Sequence, residues 1–238
     1  MKHLKFLKVV CIITILCFSC KKNTDSPDNG NPAPPVTTVN WTEELKNTLW
    51  AGEYKYTTGV DQSLQPFSLL LKDDGTITWA DVENERAAGT WKVNGSQINF
   101  SFINGGSFSA SLARDSWSNL KSGAGAGLAI DNIASTVRPN TQALLNTTWL
   151  GNVNGLNFSL NFLKDDFVKS TVNGGESYYT SKYTISLAGI RFKKNTPGDP
   201  VVGSYYGIFQ NGSPWMINIF RELYPDGTYH YKYWNAKK

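Results

Sequence analysis

Two stretches 99 residues apart carry nearly the same eight letters: residues 45–52 read LKNTLWAG and residues 144–151 read LLNTTWLG. Each follows a short helix-start signal, Thr42 with Glu43 and Glu44 in the first case and Pro139 with Asn140 and Thr141 in the second. The agreement continues into an apolar run ending in acidic turn residues, FSLLLKDDG at 67–75 and FSLNFLKDD at 158–166. A weaker echo runs from GSYYG at 203–207 through MINIFRELYPDGT at 216–228. The same order of helix, strand, turn and strand recurring at a fixed period marks an internal duplication, with about a hundred residues in each half. A chain of 238 residues can bury a substantial core in one or two domains.

Within each half the apolar runs are short and punctuated by turn pairs: Asp74-Gly75, Asn94-Gly95, Asn104-Gly105, Asn173-Gly174, Asn211-Gly212 and Asp226-Gly227. Asn-Gly and Asp-Gly pairs between β-rich runs signal hairpins, because glycine and asparagine accept the positive φ that tight turns require. Alternation is clear in Thr76-Ile77-Thr78-Trp79, in 97–102 and in 229–234, as expected of strands with one buried and one wet face. Helix is expected only before the two tryptophans and over part of 114–134. The expected fold is all-β, with two related antiparallel meander halves closing into barrels or curled sheets, which removes exposed strand edges.

A short helix leading into a tryptophan at the first strand, a hairpin ending in Asp74-Gly75-Thr76 and a later Gly89-Thr90-Trp91 resemble the lipocalin-like β-barrel lipoproteins of Bacteroidota. The resemblance covers about 41–238. It departs from the family where lipocalins carry the Gly-x-Trp signature, since Thr48 and Thr147 stand at the glycine position before Trp50 and Trp149. The resemblance implies a barrel; it leaves function to be argued from the site.

The N-terminus carries an address. Lys2, Lys5 and Lys8 precede an apolar run from Val9 to Phe18, and Ser19 precedes Cys20, the layout of a cleavable secretory signal. A membrane-spanning helix takes about 20 apolar residues, and this run is half that. Ser19-Cys20 resembles the lipobox at which bacterial lipoproteins are acylated, so residues 1–19 are expected as signal peptide and Cys20 as the lipidated residue. The partner is then the lipid bilayer, held durably because more than one acyl chain is attached. Cys11 and Cys17 leave with the signal, so no intrachain disulfide is expected. Residues 20–40, with four prolines, read as an extended tether. Lys21 is not the aspartate that retains lipoproteins in the inner membrane, so the outer membrane is expected, with its face left open. The halves follow as 41–138, including the Gly/Ala-rich connector Ser122–Gly127, and 139–238.

Three of the 23 basic residues lie in the signal, leaving 20 against 19 acidic ones in the mature chain. That near-neutral balance argues against a nucleic-acid partner, which needs a concentrated basic face. Catalytic equipment is sparse. His230 is the only histidine after signal cleavage, so nucleophilic triads and zinc sites lack ligands and bases, and no metal, cofactor or enzymatic activity is expected. Asp73-Asp74, Asp165-Asp166 and Asp226 sit in hairpin turns, where aspartate caps its own turn. The Ser122–Gly127 run lacks the GK[ST] ending of a phosphate loop; it reads as a connector or a loop over a barrel mouth.

Aromatic residues are the positive signal, with 8 Trp, 11 Tyr and 12 Phe. Most belong in cores, but adjacent strand aromatics must point to opposite faces. Tyr178, Tyr206, Trp215, Tyr231, Tyr233 and Trp234 are therefore the candidate ligand-binding residues. The function expected is a membrane-anchored, non-enzymatic lipoprotein that holds a small apolar ligand or a glycan in an aromatic-lined barrel cavity or face. The alternative is an envelope protein-interaction or structural lipoprotein whose outward aromatics anchor a protein partner.

Overall fold

In a computed structural model of the chain, the repeated octapeptide forms the same local structure twice. The structure describes residues 39–59, 62–153, 155–173, 177–194, 200–209 and 215–238, and at 177–179 and 215 the backbone alone. The expected signal peptide, Cys20 and the tether up to residue 38 lie outside the described residues. Each copy opens with a single helical turn, α1 (Trp41–Glu44) and α2 (Thr141–Leu144). Asn47 and Asn146 then take φ values of 57° and 59°, a left-handed conformation that asparagine tolerates better than most residues. The chain folds back on itself there. The Thr48 hydroxyl donates to the Leu45 carbonyl at 2.6 Å and accepts the Trp50 indole N–H at 2.9 Å. Thr147 repeats both bonds, at 2.6 Å to Leu144 and 3.1 Å from Trp149. The threonine two residues before each tryptophan thus ties the helix to it. Leu45, Leu144, Trp50 and Trp149 are all buried by this plug.

The first half continues as β1 (Thr48–Tyr56), β2 (Gln65–Leu71), β3 (Thr76–Ala80), β4 (Glu85–Asn94), β5 (Gln97–Phe102), β6 (Ser107–Leu112), β7 (Trp117–Ser122) and β8 (Leu128–Thr136). The second half holds β9 (Thr148–Val153), β10 (Leu156–Phe162), β11 (Phe167–Val172), β12 (Ser177–Ser186), β13 (Gly189–Lys194), β14 (Val202–Phe209), β15 (Trp215–Leu223) and β16 (Tyr229–Lys237). Each set is an antiparallel eight-stranded sheet; β9–β16 close into a barrel, and β1–β8 form a sheet in the order β7-β6-β5-β4-β3-β2-β1-β8. The first sheet is nearly closed, since its edges β7 and β8 meet at one bridge, Ser116 to Ala134, and at the Ser135 N–H to Asp115 carbonyl bond of 2.9 Å. The fold class read from the sequence is therefore observed, with two separate sheets rather than one.

The glycine of the repeated Trp-x-Gly has a steric reason. A Cβ on Gly52 would lie 1.9 Å from the Asn132 carbonyl oxygen of β8, and one on Gly151 would lie 2.7 Å from the Asn235 carbonyl oxygen of β16. Only hydrogen lets the first strand approach the last that closely. The expected helix within 114–134 is a correction: those residues form β7 and β8. Their alternation is broken by small residues, which hid the strand period. The weak third echo likewise falls on β14 and β15, inside the second barrel.

Both interiors are filled with side chains. In the first, Phe67 stacks on Trp79 at 4.2 Å between ring centres and Trp50 meets Trp117 at 4.5 Å. In the second, Phe192 stacks on Tyr205 at 4.1 Å and Phe158 meets Trp234 at 4.7 Å. A third apolar cluster lies outside both barrels. It joins Ala51, Ala80 and Val82 of the first half to Leu187, Ala188, Tyr206, Ile208, Ile217 and Ile219 of the second, so the outer faces of β1–β3 pack against those of β13–β15.

Candidate ligand site at the mouth of the first barrel

The junction between the halves accounts for most of the aromatic candidates. Tyr206 is fully buried there, with its hydroxyl 2.5 Å from the Ser68 hydroxyl and 3.3 Å from the Ser186 carbonyl. Burial pushes that hydroxyl well above its ordinary range, against a smaller downward pull from Ser68 and Arg191. Tyr231 and Tyr233 pack on the same cluster, and the Tyr233 hydroxyl donates to Glu53 of the first half. Burial, followed by the bond to Glu53, raises the Tyr233 hydroxyl as well. Trp234 points the other way, into the second barrel beside Phe158 and Tyr205. The side chains of Tyr178 and Trp215 lie outside the described residues. The structure therefore gathers Tyr206, Tyr231 and Tyr233 at the seam between halves and separates them from Trp234.

A different set converges at the open end of the first barrel, opposite the plug. Asp81, in the β3–β4 turn, is almost fully buried, yet its carboxylate is enclosed by donors. It accepts the Trp79 indole N–H at 2.8 Å, the Glu83 and Asn84 backbone N–H groups at 2.9 and 3.3 Å, and the Tyr54 hydroxyl at 3.5 Å. Arg86 grips both carboxylate oxygens, at 3.2 and 2.9 Å. Such a forked pair holds a planar geometry, and the other donors satisfy the oxygens of a carboxyl group removed from water. Burial alone would lower the Arg86 pKa, but the hydrogen bond and charge of Asp81 outweigh it and the guanidinium is raised. Tyr54 is pushed well up by burial first and by the Asp81 charge second. Its single hydroxyl proton is shared with Gln65 Oε1, the nearer acceptor at 3.1 Å. Gln65 Nε2 is buried without a hydrogen-bond partner.

Two adjoining clefts open over this cluster and share Trp79, Arg86, Asn104 and Leu128. One, of about 360 Å³, is lined by Tyr54, Tyr56 and Asp81 and by the Gly125–Gly127 turn. The other, of about 310 Å³, is lined by Ala87, Ala88, Phe102 and Ile103. The Gly/Ala-rich stretch is thus the β7–β8 turn at the rim of the mouth. Tyr56 and Thr58 belong to a lengthened hairpin: ten residues separate Tyr54 from Gln65, whereas two separate the equivalent Val153 and Leu156.

The second half braces this mouth from outside. Arg191, reaching from β13, donates to the backbone carbonyl of Asp81 and lies 5.5 Å from the Tyr206 ring centre. Burial lowers the Arg191 pKa. Arg221 pairs with Glu83 at 2.9 Å, and the Ser186 hydroxyl donates to Glu85 at 2.9 Å. A larger cleft of about 620 Å³ lies at the plugged end among Trp41, Trp50, Arg114 and Arg138; it follows the seam between α1 and β8, and the Trp50 indole there is already bonded to Thr48. Among the described residues, no group of three or more His, Cys, Asp or Glu side chains could hold a metal, and no helix is long and apolar enough to cross a membrane. Sequence reasoning missed Tyr54, Gln65, Asp81 and Arg86. The Trp79-Ala80-Asp81 run followed by Glu83-Asn84-Glu85-Arg86 was the available signal: a charged turn directly after a strand tryptophan.

Of the aspartates placed in turns by sequence, Asp74 and Asp226 cap theirs, whereas Asp165 and Asp166 lie in a 3-10 turn, Lys164–Asp166, at positive φ values of 58° and 59°. Asp74 accepts the Thr76 N–H and hydroxyl at 2.9 and 2.6 Å, and Asp226 accepts those of Thr228 at the same distances. His230 is exposed on β16 beside Tyr224.

No protein-family model matches the chain, and no curated protein matches it. Among solved structures the chain is similar to a protein of unknown function of the DUF3598 family from Nostoc punctiforme, at 11% identity, covering 82% of this chain and 97% of that one, with a TM-score of 0.29.

Proposed function

We propose that this protein is a non-enzymatic binding lipoprotein of the outer membrane, anchored through acylated Cys20, that receives a small ligand at the mouth of its first barrel. The anchor rests on the basic, apolar and Ser-Cys order of the first twenty residues. The binding function rests on one observation above all. At the open end of a barrel whose other end is plugged, the buried Asp81 carboxylate with its half-exposed partner Arg86, Tyr54 and Trp79 meet beneath a cleft. Apolar walls with a few convergent polar groups are the usual makeup of a small-molecule site. The second barrel acts as a brace through Arg191.

The protein-interaction reading is weaker, because of the aromatics that motivated it Tyr206 is buried, and Tyr231 and Tyr233 partly so, against the molecule's own other half. The test is a native mass spectrum of the mature protein taken from its own membrane in mild detergent, beside the denatured mass. A small mass lost on denaturation, and absent from an Arg86→Ala variant, supports the reading. A retained protein partner with no small mass overturns it.

A further inference from the structure

We propose that the ligand of this mouth is a neutral saccharide, an inference that rests on the binding function just given and names its ligand class. The charges come first. Arg86 is the cation of the cleft, and it is already committed to both oxygens of Asp81. The neighbouring Glu83 is matched by Arg221, while Glu85 adds a carboxylate whose partner is the neutral Ser186 hydroxyl. Among the described residues lining the two clefts Arg86 is thus the one cation, with Arg191 held outside them on the Asp81 carbonyl, so a fatty-acid carboxylate or a phosphate buried there would be left unpaired.

The remaining polar groups suit hydroxyls. Arg86 keeps guanidinium N–H donors beyond those given to Asp81, and a ring hydroxyl oxygen can accept them; the Asp81 carboxylate is itself filled by protein donors and serves to hold the guanidinium in place. The Arg86 side chain is 40% exposed, so its outer edge faces the cleft and solvent. Among the described residues, Gln65 Nε2, buried beside the Tyr54 hydroxyl, has no hydrogen-bond partner. Gln65 lines neither cleft, and it acts on the ligand through the Tyr54 hydroxyl, which borders one of them. The apolar requirement is met by Tyr56, Trp79 and Phe102, whose rings border the two clefts; aromatic faces and edges complement the C–H face of a sugar ring. Each cleft matches the lower end of small-molecule pocket volumes, roughly 300 Å³, which fits a short oligosaccharide better than a long acyl chain.

The experiment is a titration of the full mature protein, followed by tryptophan fluorescence and calorimetry. The probes are neutral di- to tetrasaccharides, an acidic oligosaccharide and palmitate, each against wild type, Arg86→Ala, Gln65→Leu and the distant surface variant Lys92→Ala. The expected result is saturable binding of a neutral saccharide, weakened at least tenfold by Arg86→Ala and by Gln65→Leu and unchanged in Lys92→Ala. Gln65→Leu keeps the test sound if Arg86→Ala folds poorly. Binding of palmitate or the acidic sugar in preference to every neutral one, with the same dependence on Arg86, overturns the saccharide and leaves the mouth as a binding site. Equal binding by all variants overturns both.

Discussion

Tyr54 stands opposite Gln65 at the open end of the first barrel, where Val153 stands opposite Leu156 in the second; one strand further on, Trp79 faces Leu69 where Ser170 faces Leu160. At the plugged ends the same alignment gives near identity, down to the two hydrogen bonds of Thr48 and Thr147. The duplication therefore preserved what builds a barrel and released what fills its mouth. One mouth carries a polar, aromatic cluster and a lengthened hairpin; the other has Val153 and Leu156 for Tyr54 and Gln65 and the small Ser170 for Trp79. Outer faces diverged too, into complementary halves of a seam.

The sharpest test of the shared part is to remove both anchors in turn. Trp50→Ala and Trp149→Ala each delete a buried indole and leave a cavity, a change that costs about 3–5 kcal/mol. Because the plugs are alike, the two losses should agree to within about 1 kcal/mol. Urea unfolding of each variant measures this. A large inequality would mean that one plug is ornamental and the repeat has ceased to be structural.

The next effect belongs to the first mouth alone. Asp81→Asn leaves Arg86 and the indole of Trp79 facing an uncharged amide. Breaking a buried pair can cost 3–5 kcal/mol, but the Arg86 head group is partly solvated, so about 2 kcal/mol is expected. Amide hydrogen exchange should quicken at Glu83 and Asn84, whose N–H groups bind this carboxylate, while the ladders of the second barrel stay protected. Equal loosening in both barrels would place the cost in the seam.

The plugs, hairpins and fold class were legible in the sequence because each is written locally: an Asn-Thr-x-Trp run, an Asp-Gly pair, a two-residue alternation. The seam was not legible. Tyr206, Tyr231 and Tyr233 have the spacing of exposed or cavity-lining strand residues, and only the packing of one barrel on another decides between those faces and a buried junction. The mouth failed for a related reason. Tyr54, Gln65, Asp81 and Arg86 come from separate strands and turns, and a register is needed to bring them together. Small residues in β7 and β8 also blurred the strand period over 114–134, which invited a helix.

The seam and the mouth predict smaller and opposite effects. Tyr206→Phe removes a hydroxyl bonded to Ser68 across the halves and leaves that serine less well satisfied, a loss of about 1 kcal/mol. Thermal unfolding should drop by a few degrees, and a transition that separates into two would show the seam to be what couples the barrels. Gln65→Leu runs the other way. It installs the residue type that the second barrel carries at Leu156 and removes a buried amide nitrogen without a partner, so stability should rise by up to about 1 kcal/mol while saccharide affinity falls. Gained stability with lost binding is the signature of a position held for function; a loss of stability would mean that Gln65 is structural.

The smallest effect compares one turn in each barrel at non-equivalent hairpins. Asp74 joins β2 to β3 and Asp226 joins β15 to β16, yet both carboxylates accept the N–H and hydroxyl of the threonine two residues on. Those bonds, the hydroxyl's first, hold both carboxyls below the ordinary aspartate range. A carboxyl depressed in the folded state adds stability that is fully present above its unfolded pKa of about 3.9 and is lost as pH falls through the lower, folded value. Asn at both sites still accepts the turn N–H through its side-chain oxygen but no longer titrates. The double variant Asp74→Asn/Asp226→Asn should therefore be slightly less stable than wild type near neutrality and converge with it at low pH, giving a shallower loss of stability below about pH 4. Urea midpoints taken from pH 7 to pH 2 measure the difference, and parallel curves for the two proteins would mean that these turns open before their carboxyls protonate.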